Sequence, residues 1–182
     1  MPQQKGRGIQ SEGAGLMPVK LERTLMADRV PARIRVGGTL AADCLDQLAH
    51  LVAAYDLRCD WDSEPFDPTA LPPDGPLDLY ALETRNGSFD DLEAFCVDHG
   101  LAFWRWAGGT PGSFTPEIVV FTGRGAPESF QASEGEIIAL DPDIITELEN
   151  YEAIVEMIER SRFEPPAFCL TRPTTLVTPC SS

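Results

Sequence analysis

Residues 77–107 read LDLYALETRNGSFDDLEAFCVDHGLAFWRWA, and the fold follows from that stretch. Leu77, Leu79 and Ala81 alternate with Asp78 and Tyr80, which predicts a half-buried strand. Asn86-Gly87 is a turn pair, and Ser88 with Asp91 three residues on predicts a helix start. Phe89, Leu92, Phe95 and Cys96 recur at helical spacing, and Gly100 supplies the usual helix stop. Leu101–Ala107 is apolar on both faces, as a central strand would be. The stretch is a strand–helix–strand unit.

Upstream, a similar unit is predicted. Val30, Ala32, Ile34 and Val36 alternate with Pro31, Arg33 and Arg35. Gly37-Gly38 reads as a turn and Thr39 as an N-cap. Leu45, Leu48, Val52 and Tyr55 form an apolar helical stripe opposite Asp43, Asp46, Gln47 and His50. Leu57, Cys59 and Trp61 alternate with Arg58 and Asp60, a second strand, before a Pro- and Asp-rich loop to Pro76. Downstream, Glu117–Thr122 suits a buried strand, Gly123-Arg124-Gly125 a turn, and Ser129–Ala132 and Glu136–Leu140 weaker strands. Asp141-Pro142 marks a helix start. Ile144, Ile145, Leu148, Tyr151, Val155 and Ile158 then define a buried face to about Ser161. Glu147, Glu149, Glu152, Glu156 and Glu159 lie outside, and Arg160 and Arg162 suit the negative end. The expected class is α+β: two β-α-β units in a ferredoxin-like mixed or antiparallel sheet, extended by a β-hairpin and a C-terminal helix. Three helices for about six strands argue against a doubly wound parallel sheet.

The expected organisation is a flexible N-terminal arm at 1–29, one α+β domain at 30–171 and a flexible tail at 172–182. Met17 and Met26 are both plausible internal starts. No long apolar run predicts a membrane helix and no apolar leader precedes the arm, so a cytoplasmic setting is expected.

Charge narrows the function classes. The 182 residues carry a formal net charge of −15. In the arm, Lys5, Arg7, Lys20, Arg23 and Arg29 outnumber Glu12, Glu22 and Asp28 by two, which leaves −17 for the remainder. Such a surface repels phosphate backbones and anionic lipid, and steers basic partners inward. Direct nucleic-acid or membrane binding is not expected.

Catalytic and metal motifs are weak. Five cysteines include no Cys-x-x-Cys pair; Cys44, Cys59 and Cys96 fall on apolar faces and read as buried, reduced thiols. His50 pairs with Asp46 at helical spacing. Cys96 and His99, three apart, could form a nucleophile pair, but the apolar stripe disfavours a thiolate. Asp60, Asp62, Glu64 and Asp67 begin like a calcium loop. Pro65 stands where that loop needs glycine, and the closing glutamate is missing. Gly123-Arg124-Gly125 is too short to cradle a phosphate, and no nucleophile-elbow, Walker or zincin pattern occurs. Trp104 and Trp106 share one side of a strand opposite Phe103 and Arg105; they suit packing under a helix or a protein-binding anchor.

Three segments carry a resemblance: Ala32–Gly38 (ARIRVGG), Asp60-Trp61, and Phe89–Leu101 (FDDLEAFCVDHGL). They resemble small acidic bacterial and mobile-element proteins of unknown function, over about residues 30–122. The resemblance implies that setting and assigns no active-site residue.

Two function classes follow. The first is a non-catalytic acidic protein–protein interaction module, with DNA mimicry against a nucleic-acid enzyme as its specific form. Its candidate partner-binding residues are Asp60, Asp62, Glu64, Asp67, Glu149, Glu152, Glu156, Trp104 and Trp106. The second is a small hydrolase or transferase using Cys96 and His99, or a divalent metal at the Asp60–Asp67 loop. No catalytic residue, resident metal or cofactor is expected for the first class. Clustered carboxylates favour it, and an exposed Cys96–His99 pair would favour the second.

Overall fold

A computed structural model describes residues 29–148 and 150–171. It contains strands β1 (Arg29–Ala41), β2 (Leu77–Arg85), β3 (Ala102–Ala107), β4 (Glu117–Phe121), β5 (Glu128–Gln131) and β6 (Phe168–Thr171). The helices are α1 (Leu45–Ala54), α2 (Asp90–Asp98), α3 (Pro142–Leu148) and α4 (Tyr151–Ser161). The class is α+β.

The sheet order is β2-β1-β3-β4-β5, antiparallel at every one of these pairings. β1 therefore lies between β2 and β3, which run parallel to each other. Thus β2-α2-β3 is a split β-α-β unit. β6 adds in parallel to the far end of β1, with Gly38 opposite Phe168 and Ala41 opposite Thr171.

Period-two alternation sorts the side chains onto two faces. On one face Ile34, Val36, Leu77, Leu79, Phe103 and Phe121 pack against Leu48 and Val52 of α1 and Leu92, Phe95 and Cys96 of α2. On the other, Trp104, Trp106, Ile118, Val120 and Phe130 are covered by Trp61, Ile138, Met157 of α4 and Phe163. β3 is buried throughout, which explains its two apolar faces.

Four local expectations are corrected. Gly37-Gly38 is not a turn, and Thr39 is a strand residue opposite Cys169. β1 runs straight through because the Pro165-Pro166 backbone crosses Gly37, where a Cβ would overlap the Pro166 carbonyl. Leu57–Trp61 does not form a strand. Arg58 and Tyr80 exchange two backbone hydrogen bonds (2.9 and 2.8 Å), and then Asp60–Ser63 turns the chain away. The first strand–helix–strand unit is therefore incomplete. Ser88 is not the cap: α2 starts at Asp90, and the Phe89 N–H at its entrance is satisfied by Glu93 Oε1, one turn on, at 3.0 Å. Glu136–Leu140 makes only the bridge Ala132–Ile138.

The last helix is two helices. Asn150 Oδ1 accepts the Ala153 N–H at 2.8 Å, so Asn150 caps a new helix inside the expected one. Asp141 caps α3 as expected, accepting the Ile144 N–H at 2.9 Å. The restart changes the phase of the apolar stripe. Tyr151 is 75% exposed and Ile145 45% exposed, whereas Met157 faces the sheet.

Arg29, placed in the arm by sequence, opens β1 opposite Arg85. The rest of the expected arm and tail, residues 1–28 and 172–182, lies outside the described residues. Among the described residues no helix is long and apolar enough to cross a membrane.

Candidate functional site

The sheet face under α4 carries a polar centre that several strands build together. Arg33 and Arg35 project from β1, between Asp78 and Tyr80 of β2 and Trp104 and Trp106 of β3. Arg33 forks onto Asp78: Nε donates to Oδ1 at 2.9 Å and Nη2 to Oδ2 at 2.6 Å. Its Nη1 donates to Glu136 Oε2 at 2.8 Å. Hydrogen bonding to Asp78 raises the Arg33 guanidinium above its ordinary value, outweighing burial. Arg33 also stacks over Tyr80, 4.8 Å from the ring centre, and Trp61 meets Tyr80 edge-on at 4.9 Å.

Arg35 sits differently. Its guanidinium lies 4.3 Å from the centre of the Trp104 ring. Among the described residues it forms no ion pair, and its shielded Nε has no acceptor. Burial lowers its pKa, and the Arg33 charge adds to that. An arginine begins so high that it stays charged.

Trp61 seats the Asp60–Asp67 loop beside this face. Asp60 and Asp67 have local structural roles: Asp60 Oδ1 accepts the Trp61 N–H at 2.7 Å, and Asp67 Oδ1 accepts the N–H and hydroxyl of Thr69, both at 2.8 Å. Those Thr69 bonds hold the Asp67 carboxyl below its ordinary value. Asp62 and Glu64 are exposed and enter no ion pair among the described residues. Glu152 and Glu156 are exposed on α4, also without an ion-pair partner there. Glu149 lies outside the described residues.

The tryptophans behave as packing residues. Trp104 is 3% and Trp106 4% exposed. Their indole N–H groups donate to the carbonyls of Ser161 and Ser133, both at 2.9 Å. An exposed anchor would present its ring to solvent, so the anchor expectation is corrected: both indoles are occupied beneath α4 and the 133–138 segment.

Among the described residues, Cys96 and His99 do not form the exposed pair that the enzymatic alternative needs. Cys96 is fully buried, and burial, with Glu93 adding to it, pushes its thiol up to about 12. His99 is exposed and its ring lies against Phe95 at 4.2 Å. A thiol reagent should therefore spare Cys96 in the native protein. Cys59 and Cys169, exposed against the expectation for Cys59, should react before it. Peptide mapping after brief alkylation checks this, and early labelling of Cys96 would contradict its burial. Among the described residues no three carboxylate, thiol or imidazole groups gather to hold a metal ion.

Sequence reasoning missed two elements. One is the Arg33–Asp78–Glu136 network with Arg35; its signal was the alternation of arginines on one strand and Asp78-x-Tyr80 on the next. The other is Arg105, buried on the opposite sheet face and joined to Glu93 and Glu117. Its signal was a charge inside an otherwise apolar strand.

Comparison of the chain with known protein families, with curated proteins and with solved structures finds no match, so the functional reading rests on this geometry.

Proposed function

We propose that the protein is a non-catalytic acidic interaction module that binds a basic protein surface in a cytoplasmic setting. DNA mimicry, with carboxylates standing where a nucleic-acid enzyme expects phosphates, is the form we infer for it. One observation carries the reading. Arg29, Arg33, Arg58, Arg105 and Arg160 each have a carboxylate partner, and these pairs take Glu83, Asp78, Glu136, Asp56, Glu93, Glu117 and Glu128. Asp62 and Glu64 on the loop and Glu152 and Glu156 on α4 are left facing solvent without a cation among the described residues. Unopposed carboxylates of this kind steer a basic partner and repel nucleic acid.

On the fold, the split β2-α2-β3 unit around β1 supports a ferredoxin-like kinship for half of the domain.

The test uses two baits, the native chain and the variant Asp62→Lys, Glu64→Lys, Glu152→Lys, Glu156→Lys. These four carboxylates accept no hydrogen bond among the described residues, so the fold should persist. Captured proteins are compared by mass spectrometry at low and moderate salt. A basic protein held by the native bait and lost with the variant is the expected result. Identical captures with both baits would remove the electrostatic reading.

A further inference from the structure

An apolar stripe of α4 is left uncovered by the described residues. Tyr151, Ile154, Val155, Met157 and Ile158 fall within one arc of the helix. Yet Ser161 is the only buried residue of α4, and α3 beside it has none. Met157 is turned to the sheet, against the Trp104 and Trp106 layer. Tyr151, Val155 and Ile158, at i, i+4 and i+7, lie roughly 100–160° around the helix from it. Tyr151 is 75% exposed, and Val155 and Ile158 are half-buried. Glu152, Glu156 and Glu159 repeat the same spacing one residue on, so they form a second row alongside the first. All three are exposed, without an ion-pair partner among the described residues. The arginines that follow are engaged elsewhere: Arg160 meets Glu128 at 3.6 Å, and Arg162 lines the hollow beside Trp104 with Glu136 and Glu164.

We propose that these two rows are a docking surface for a basic amphipathic helix of the partner protein. The inference rests on the acidic-module reading and names the element by which the partner is recognised. Three features support it. First, an apolar row at i, i+4 and i+7 is the footprint that a facing helix fills with anchors at the same spacing. The eleven residues of α4 run for about 16 Å, room for about three turns of a partner helix. Second, an apolar row rimmed by charge marks an interaction surface, and the sign of the rim selects the occupant. A second copy would bring another glutamate row, and another net charge of −15, into the same contact. A helix with lysines or arginines beside its apolar row meets the glutamates with opposite charge. Third, Tyr151 is suited to be the anchor. Tyrosine offers a large contact area for few rotatable bonds and is enriched among residues that dominate binding. Asn150, whose side chain caps the helix, fixes the backbone immediately before it.

The probe is a fluorescently labelled synthetic helix of about 15 residues, a length at which isolated helices begin to hold, with leucines along one face and lysines along the other. The controls are a scrambled peptide of identical composition and the same helix with glutamate for lysine. Binding to the full chain is read by fluorescence anisotropy at low and moderate salt. The lysine helix should bind saturably, about tenfold or more tighter than the scrambled peptide, on the scale of one apolar anchor. The glutamate helix should not saturate. Tyr151→Ala with Val155→Ala should weaken the lysine helix about tenfold at both salts. Glu152→Gln, Glu156→Gln and Glu159→Gln together should weaken it about tenfold at low salt and less at moderate salt. Alanine is the best helix former, so the first variant should fold; should it not, Tyr151→Ala alone, at an exposed position, decides. Equal binding of the amphipathic and scrambled peptides, or native affinity in the alanine variant, would overturn the docking helix and leave the acidic-module reading standing. Loss in the alanine variant with none in the glutamine variant would mean that the stripe docks without charge, which overturns both the basic helix and the reading beneath it.

Discussion

Trp104→Ala is expected to lower the unfolding free energy by about 3–5 kcal/mol, the range for deleting a large aromatic from a core. The indole is 3% exposed, floors the face covered by α4, and donates to the Ser161 carbonyl at the end of that helix. Its removal opens a void, orphans that carbonyl and strips the stacking partner from Arg35. Urea unfolding followed by far-ultraviolet circular dichroism measures the loss. A change within about 0.5 kcal/mol, the usual scale for surface substitutions, would return Trp104 to the role of exposed anchor.

The second large effect belongs to Arg105, which is 3% exposed on the α1–α2 face. Its Nη1 donates to the Gly87 carbonyl and its Nη2 to Glu117 Oε1, both at 2.6 Å. Its Nε lies 2.7 Å from Glu93 Oε1, although the N–H is not directed squarely at that oxygen. The one side chain thus joins β3 to β4, to α2 and to the turn before α2. Arg105→Met keeps most of the volume and leaves two carboxylates facing an apolar wall. Breaking a buried pair by removing one partner costs about 3–5 kcal/mol, and the lower end applies because Glu117 retains contact with water. Burial pushes the Glu117 carboxyl up, but the Arg105 hydrogen bond and charge, with the Ser129 hydroxyl, outweigh it and hold the carboxyl below its ordinary value of 4.5. A carboxyl lowered in the folded state adds stability above its unfolded value, and that stability is lost as pH falls through the folded value. The native protein should therefore lose stability on acidification below about pH 4.5. Arg105→Met should be less stable at neutral pH and show a shallower acid slope. Equal acid slopes in the two proteins would contradict this account of Glu117.

Much of the fold was legible because periodicity reports burial. The alternation in Val30–Val36 and Leu77–Ala81, the stripe Phe89–Cys96 and the doubly apolar Leu101–Ala107 all correspond to observed elements. What failed were features set by tertiary approach or by a single side chain. Gly37 is glycine because Pro166 crosses it, and no local window contains that contact. Asn150 divides the last helix by offering its own side chain to the backbone, a competition that a stripe of apolar residues hides. Leu57–Trp61 has the right alternation, but Asp60 bonds the next amide and ends the pairing after one bridge.

The candidate site was less legible. Exposed carboxylates were predictable from charge, but which of them are idle depends on distant partners. Asp78 and Arg33 are 45 residues apart, and Glu136 is 103 residues from Arg33. Pairing across such separations is a property of strand order. Strand order β2-β1-β3 also explains why Arg35 meets Trp104 and why the two indoles ended beneath α4.

The most direct test of the acidic-module reading is the association rate of a captured basic partner as a function of salt. The native chain is compared with the variant reversed at Asp62, Glu64, Glu152 and Glu156. Electrostatic steering predicts that the variant binds about tenfold or more slowly at low salt. The two rates should converge as salt shortens the screening length from about 10 Å at 0.1 M. Equal association rates at low salt, with both proteins folded, would contradict the account and leave the negative charge a matter of solubility.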